Sequence, residues 1–331
     1  MNKNKNGDLT PRQRVLTALR HEQPDRVPVD FLATPEIWRS LLETIKPDVA
    51  AVGQSDYFDP AWEAIMRHFE VDCRVLSYDQ FFNPPASLFH PGAKQEWWEA
   101  LSRSTPNRMW RQHLPSDDYY DLWSHHIRIV QNESGNYEEF STWPLSKATT
   151  IAELENHPWP EPDWWDFSPI PGIMAQLDEH DEYHIRFRIG SVFEIAWQLR
   201  GMQEFLMDLA LNPEFPQYIM NRLTDIYVEN TRRVLDLAGD RLDMVYFYDD
   251  VATQNSLMIS KKMWQDYVRP CHELIIAVAR QYGYPVLLHW DGAQWLERGV
   301  TLDAQGRFAW ADRQTTERPP VEGPFLPGTV T

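Results

Sequence analysis

The order of the regular segments between His184 and His289 constrains this chain more than any other feature. Met244-Val245-Tyr246-Phe247-Tyr248 is a β-branched and aromatic run with strand character. Ser260 then caps a helix that runs to Tyr282, Gly283 closes it, and Val286-Leu287-Leu288-His289 reads as the next strand. Strand, helix, strand in that order requires a crossover, so the strands pair in parallel and the class is α/β. Upstream, His184 to Ile189 reads as another strand, followed by a helix from Phe193 to about Leu211. After Pro213 and Pro216, a second helix to Leu237 carries Ile219, Met220, Leu223, Ile226 and Tyr227 on one face.

The flanking regions are less regular. Thr10-Pro11-Arg12-Gln13 is a capping-box helix start with proline at the first helical position, and Val15, Leu16 and Leu19 form its apolar stripe. Asp25 to Phe31 and Val71 to Leu76 read as strands, and residues 1–9 as a disordered N-terminus. From about Pro84 to Pro171 the chain is rich in Pro, Trp, Asp and Glu with weak periodicity, as an elaboration outside the main fold would be, with a hairpin near Glu133-Ser134-Gly135-Asn136. The 15 Trp residues predict aromatic packing surfaces or a pocket for a flat ligand. Ala293 to Thr331 shows no strand or helix stripe, ends in Pro and Gly pairs, and reads as a tail.

Composition excludes several classes of function. A net charge of -18 without a basic stripe repels phosphate backbones, so nucleic acid is not an expected partner. No run approaches eighteen apolar residues, so no membrane span is expected. Cys73 and Cys271 are too few for a disulfide framework, and the chain reads as cytoplasmic. Walker-type and Rossmann-type glycine loops and nucleophile elbows are not visible, which argues against ATP, dinucleotide and acyl-enzyme chemistry.

In a parallel α/β barrel the loops after the strands form the functional face. Asp249-Asp250 follow one strand here, and His289 and Asp291 stand at the end of another. Residues two apart on an extended chain point the same way, so His289 and Asp291 can reach one ion together. They are candidate metal ligands, with zinc the metal and a carboxylate from another strand as third donor. Equally, His289 can be a core histidine and Asp291-Gly292 turn chemistry. Asp249 and Asp250 can supply a general base or metal carboxylate, or can cap the following segment. Glu194, just past the His184 strand, can be a further ligand or a helix N-terminal carboxylate favoured by the dipole.

Three stretches carry a resemblance: Thr10-Pro11-Arg12-Gln13-Arg14-Val15-Leu16 with Asp25-Arg26-Val27-Pro28-Val29; Phe193-Glu194-Ile195-Ala196-Trp197-Gln198-Leu199-Arg200-Gly201; and Tyr248-Asp249-Asp250-Val251-Ala252-Thr253-Gln254 with Leu288-His289-Trp290-Asp291-Gly292. Together they resemble the uroporphyrinogen decarboxylase-like superfamily over most of residues 10–292. The resemblance implies a (β/α)8 TIM-barrel-type domain over residues 10–292 with an N-terminal helical extension. Only residues 293–331 follow, so the barrel is expected to be incomplete at its C-terminal end, as in a truncated or frame-shifted member that associates through unpaired edges, for instance as a homo-oligomer. The arginine-rich stretch of true decarboxylases is replaced here by Val29-Asp30-Phe31-Leu32-Ala33-Thr34. The similarity is therefore greater to the corrinoid methyltransferase branch, which implies methyl transfer between methylcobalamin, free or on a corrinoid protein, and a thiol or small methylated compound. That branch uses a zinc-bound thiolate held by a His-x-Cys motif; His289 matches the histidine and Asp291 stands in place of the cysteine. Decarboxylation of a tetrapyrrole and ligand binding by an inactive barrel remnant are the alternative expectations.

Overall fold

The computed structural model describes residues 9–31, 33, 35–55, 57–98, 109–116, 118–132, 135–177, 182–253 and 257–289, together with strands at 300–302 and 308–310. The strands in chain order are β1 (Cys73–Ser77), β2 (Lys94–Trp98), β3 (Met109–His113), β4 (Tyr119–Tyr120), β5 (His126–Asn132), β6 (Gly135–Phe140), β7 (His184–Arg188), β8 (Met244–Tyr248), β9 (Val286–His289), β10 (Val300–Leu302) and β11 (Phe308–Trp310). A four-stranded parallel sheet has the order β1-β7-β8-β9, which fixes the class as α/β. A complete eight-stranded barrel is not present among the described residues. The chain divides into two compact units, one of Met1–Pro144, Pro158–Arg188 and Asp236–Asp243, the other of Leu145–His157, Ile189–Leu235 and Met244–Thr331.

In the first unit the helix Pro11–Leu19 starts with the expected capping box, in which Thr10 Oγ1 accepts from Gln13 N and Gln13 Oε1 accepts from Thr10 N. Asp25 to Phe31, expected to be a strand, bends at Asp25-Arg26 and forms no strand. Its polar bonds go elsewhere: Val29 N donates to the carboxylate of Asp72 at 2.7 Å, and Asp72 N donates back to Val29 O. Asp72 is fully buried and also takes the guanidinium groups of Arg14 (2.5 Å) and Arg26 (2.7 Å), so a side chain rather than a strand partner ties this segment down. Phe31 then packs edge-on against Trp38, which stacks on Trp62 with ring centroids 5.0 Å apart. The tryptophans at 38, 62, 110, 123, 159, 165 and 264 are all buried, as packing predicts.

The Trp- and Pro-rich region contains a five-stranded antiparallel sheet in the order β2-β3-β4-β5-β6. Its expected hairpin is β5–β6, with Asn132 opposite Gly135. Strands this short leave little alternation to read, which explains the weak periodicity. The same holds for residues 293–331, expected to lack strands. Val300–Leu302 and Phe308–Trp310 pair antiparallel there.

The second unit holds β8 and β9, paired in parallel with Tyr248 opposite His289. The helix expected from Phe193 to Leu211 is two, Phe193–Arg200 and Met202–Leu211, because Gly201 adopts φ +90° between them. Helix Glu214–Ala238 buries Ile219, Met220, Leu223, Ile226 and Tyr227, each worth ~2 kcal/mol for full burial. Gly190 lies where a Cβ would come within 2.6 Å of the Tyr227 ring, and its φ of +134° suits glycine alone. The helix from Ser260 is regular over Lys261–Met263, widens to a π-helix over Trp264–Val268, and becomes α-helical again over Arg269–Gln281. Pro270 has no N–H to continue an α-helical ladder, and the wider turn precedes it.

Candidate functional site

Polar residues gather at the C-terminal ends of β8 and β9 in the second unit. Along β8, Val245 and Phe247 are buried, whereas Tyr246 and Tyr248 are half-buried. Extending the alternation sends Asp249 inward and leaves Asp250 outward. The structure does this: Asp249 has no solvent exposure, and the Asp250 side chain is 37% exposed.

Asp249 is saturated with hydrogen bonds. Its Oδ1 accepts from Ser191 Oγ (2.7 Å) and Glu194 N (2.8 Å). Its Oδ2 accepts from Phe193 N (2.9 Å) and Val192 N (3.3 Å), and lies 2.6 Å from His272 Nε2. Val192, at the N-cap of helix Phe193–Arg200, makes no side-chain cap bond, and a carboxylate more than fifty residues away in sequence takes the first N–H groups and faces the positive end of the helix dipole. The backbone of Asp249 adds one more constraint, donating to His289 O at 2.8 Å.

His289 and Asp250 sit beside one another, with Nδ1 and Oδ1 4.0 Å apart and side chains 40% and 37% exposed. A pair this open contributes ~0–1 kcal/mol, so stability does not explain it. Two ligands of one tetrahedral ion at about 2.1 Å lie roughly 3.4 Å apart. His289 and Asp250 thus approach the separation of a shared ion, and their nitrogen and oxygen donors fit zinc. Glu194 is half-buried in the first turn of its helix, where its Oε1 accepts from Gln198 Nε2 at 3.1 Å. Glu194 thus occupies the first-turn position that the helix dipole favours for a carboxylate. Asp291 lies outside the described residues. Among the described residues no three His, Cys, Asp or Glu side chains converge into a metal-binding group. Neither thiol offers a ready soft ligand: burial pushes Cys271 up from its ordinary value and Cys73 up to about 12.

The sequence reading passed over a second polar cluster, in the first unit. At the ends of β1 and β7, Arg188 donates to Ser77 Oγ and Asp79 Oδ2, both at 2.8 Å, and all three residues are buried. Among the described residues Asp79 Oδ1 is buried without a hydrogen bond. The available signal was the arginine that closes β7, where the alternation of Ile185 and Phe187 leaves Arg188 on the opposite face.

No helix among the described residues is long and apolar enough to cross a membrane. No protein-family model matches the chain. No curated protein matches it either. Among solved structures the chain is similar to a methyltransferase from Methanosarcina mazei, at 14% sequence identity and a TM-score of 0.48, over 86% of this chain and 71% of that one.

Proposed function

We propose that the second unit carries a metal-assisted methyl-transfer site at the ends of β8 and β9, moving a methyl group between a corrinoid and a thiol or small methylated compound. The observation that carries this reading is the juxtaposition of His289, which closes β9, and Asp250, two residues past the end of the neighbouring parallel strand β8, both half-exposed, with Tyr248 opposite His289. The Leu288-His289-Trp290-Asp291-Gly292 and Tyr248-Asp249-Asp250 motifs, which resemble the corrinoid methyltransferase branch, support it.

His289 with Asp250 would hold the metal, and Glu194 and Asp291 are the further donors proposed. Zinc bound there would acidify a coordinated thiol and hold it as thiolate. The chain's own residues do the rest. Asp250, the more open of the two acids, would take the thiol proton on the carboxylate oxygen that the metal leaves free. Asp249, with both oxygens occupied, positions Glu194 and His289. In the transfer a C–S bond forms as the Co–C bond breaks, and the electron pair of that bond stays on cobalt.

The test is zinc analysis of the full chain followed by a methylcobalamin demethylation assay with a thiol acceptor. One zinc per chain, lost in His289→Ala together with demethylation, is the expected result. A folded wild type that binds no zinc and leaves methylcobalamin intact refutes the proposal. Turnover of uroporphyrinogen instead would transfer the site to decarboxylation.

A further inference from the structure

We infer that His272 is a positioning residue of this site, acting through Asp249; the inference rests on the reading of the site proposed above. His272 lies on helix Arg269–Gln281, is 1% exposed, and meets Phe247 edge-on with ring centroids 5.3 Å apart. Its Nε2 makes the shortest of the contacts to Asp249, 2.6 Å from Oδ2, and its Nδ1 is buried without a hydrogen bond among the described residues. Asp249 Oδ2 already accepts from Phe193 N and Val192 N, so it meets His272 as an acceptor and the imidazole is placed to donate through Nε2.

His272 is the one Asp249 donor that belongs to neither the Ser191–Glu194 turn nor the strands. The imidazole fixes the plane of the carboxylate from the helix side. The carboxylate in turn fixes Glu194 N, and the backbone of the same aspartate fixes His289 O. A buried polar pair beside Phe247 costs more than an apolar side chain of the same volume would. What the pair adds is a single orientation of the strand end and of the helix start that carry His289 and Glu194. Groups that orient ligands in this way tune metal affinity.

The experiment compares full-length wild type, His272→Leu and His272→Gln, the last of which keeps an N–H donor. Cobalt(II) is the probe, read by titration and by its visible spectrum, and the His289 ring is read by 15N NMR in metal-free protein. His272→Leu is expected to weaken cobalt binding roughly tenfold to a hundredfold, to change the spectrum and to shift the His289 ring signals. His272→Gln should recover most of all three. A folded His272→Leu protein with unchanged cobalt affinity, spectrum and His289 signals overturns the inference. Wild type that takes up no cobalt refutes the metal reading, and the His289 signals alone then decide the positioning role: unmoved signals overturn it. Should His272→Leu fail to fold, His272→Gln is measured against wild type, and loss of the His289 signature from that folded variant overturns the inference.

Discussion

Replacing Asp249 by asparagine is the most informative single perturbation, because the substitution keeps the shape of the side chain and changes only which atoms can accept. The new amide nitrogen does least harm in the Oδ1 position. Ser191 can turn its hydroxyl to accept from it, and Glu194 N keeps a weak alternative in Ser191 Oγ at 3.2 Å. Even so, the bond from Glu194 N to Oδ1 is lost, and an impaired buried N–H costs ~1–3 kcal/mol. In the Oδ2 position the cost is greater, since Val192 N, Phe193 N and His272 Nε2 would all face a donor. The surviving bonds also lose their charge assistance, since a neutral acceptor contributes about half as much as an ionised one. The loss of stability is therefore about 3–5 kcal/mol. Urea unfolding followed by tryptophan fluorescence measures it as a fall in midpoint at unchanged slope. Asp250→Asn is the control. Its half-exposed side chain should lose less than ~1 kcal/mol while abolishing proton uptake at the proposed site. Equal, small losses in the two variants would refute the division of labour between these neighbouring acids.

Two further outcomes follow from the packing and charge of the fold. Gly190→Ala places a methyl group 2.6 Å from the buried Tyr227 ring at φ +134°, and overpacking plus backbone strain should cost about 2–5 kcal/mol, read as a lower melting temperature. In the first unit, the Arg14 guanidinium holds the Asp25 carboxyl down from 3.8 to about 2. A lowered native pKa means that the unfolded chain binds the proton more readily, so this stabilisation is complete above about pH 4 and is lost as pH falls towards 2. The urea midpoints of wild type and Asp25→Asn should therefore converge over that interval; a constant gap would contradict the assignment.

Much of the parallel core was legible because its residues obey local rules. The Met244–Tyr248 and Val286–His289 strands, the Ser260 cap and the Thr10 capping box all appear where the pattern places them. Departures arose where one residue overrides a run. Gly201 lies inside the run from Phe193 to Leu211 expected to be one helix, but with φ +90° it divides that helix. Asp25 to Phe31 has the composition of a strand, but Asp72 captures its hydrogen bonds, and that contact lies more than forty residues away in sequence. At the site, the two adjacent acids looked equivalent in sequence. Their difference was recoverable only by carrying the in-out phase of β8 past its last ladder residue. The contact with His272 was not recoverable, because it depends on how a helix is rotated about its own axis.

That rotation gives the π-helical turn at Trp264–Val268 a consequence of its own. One extra residue in a turn shifts the azimuth of everything that follows by about 100°. The widened turn therefore acts as a phase adjuster. It sets which side chain of helix Arg269–Gln281 meets Asp249, with His272 turned inward and Glu273 left exposed. Removing a single residue from the widened turn would turn another part of that helix towards the carboxylate without altering any residue that touches it, so the polar pair depends on the spacing of the chain as much as on its chemistry.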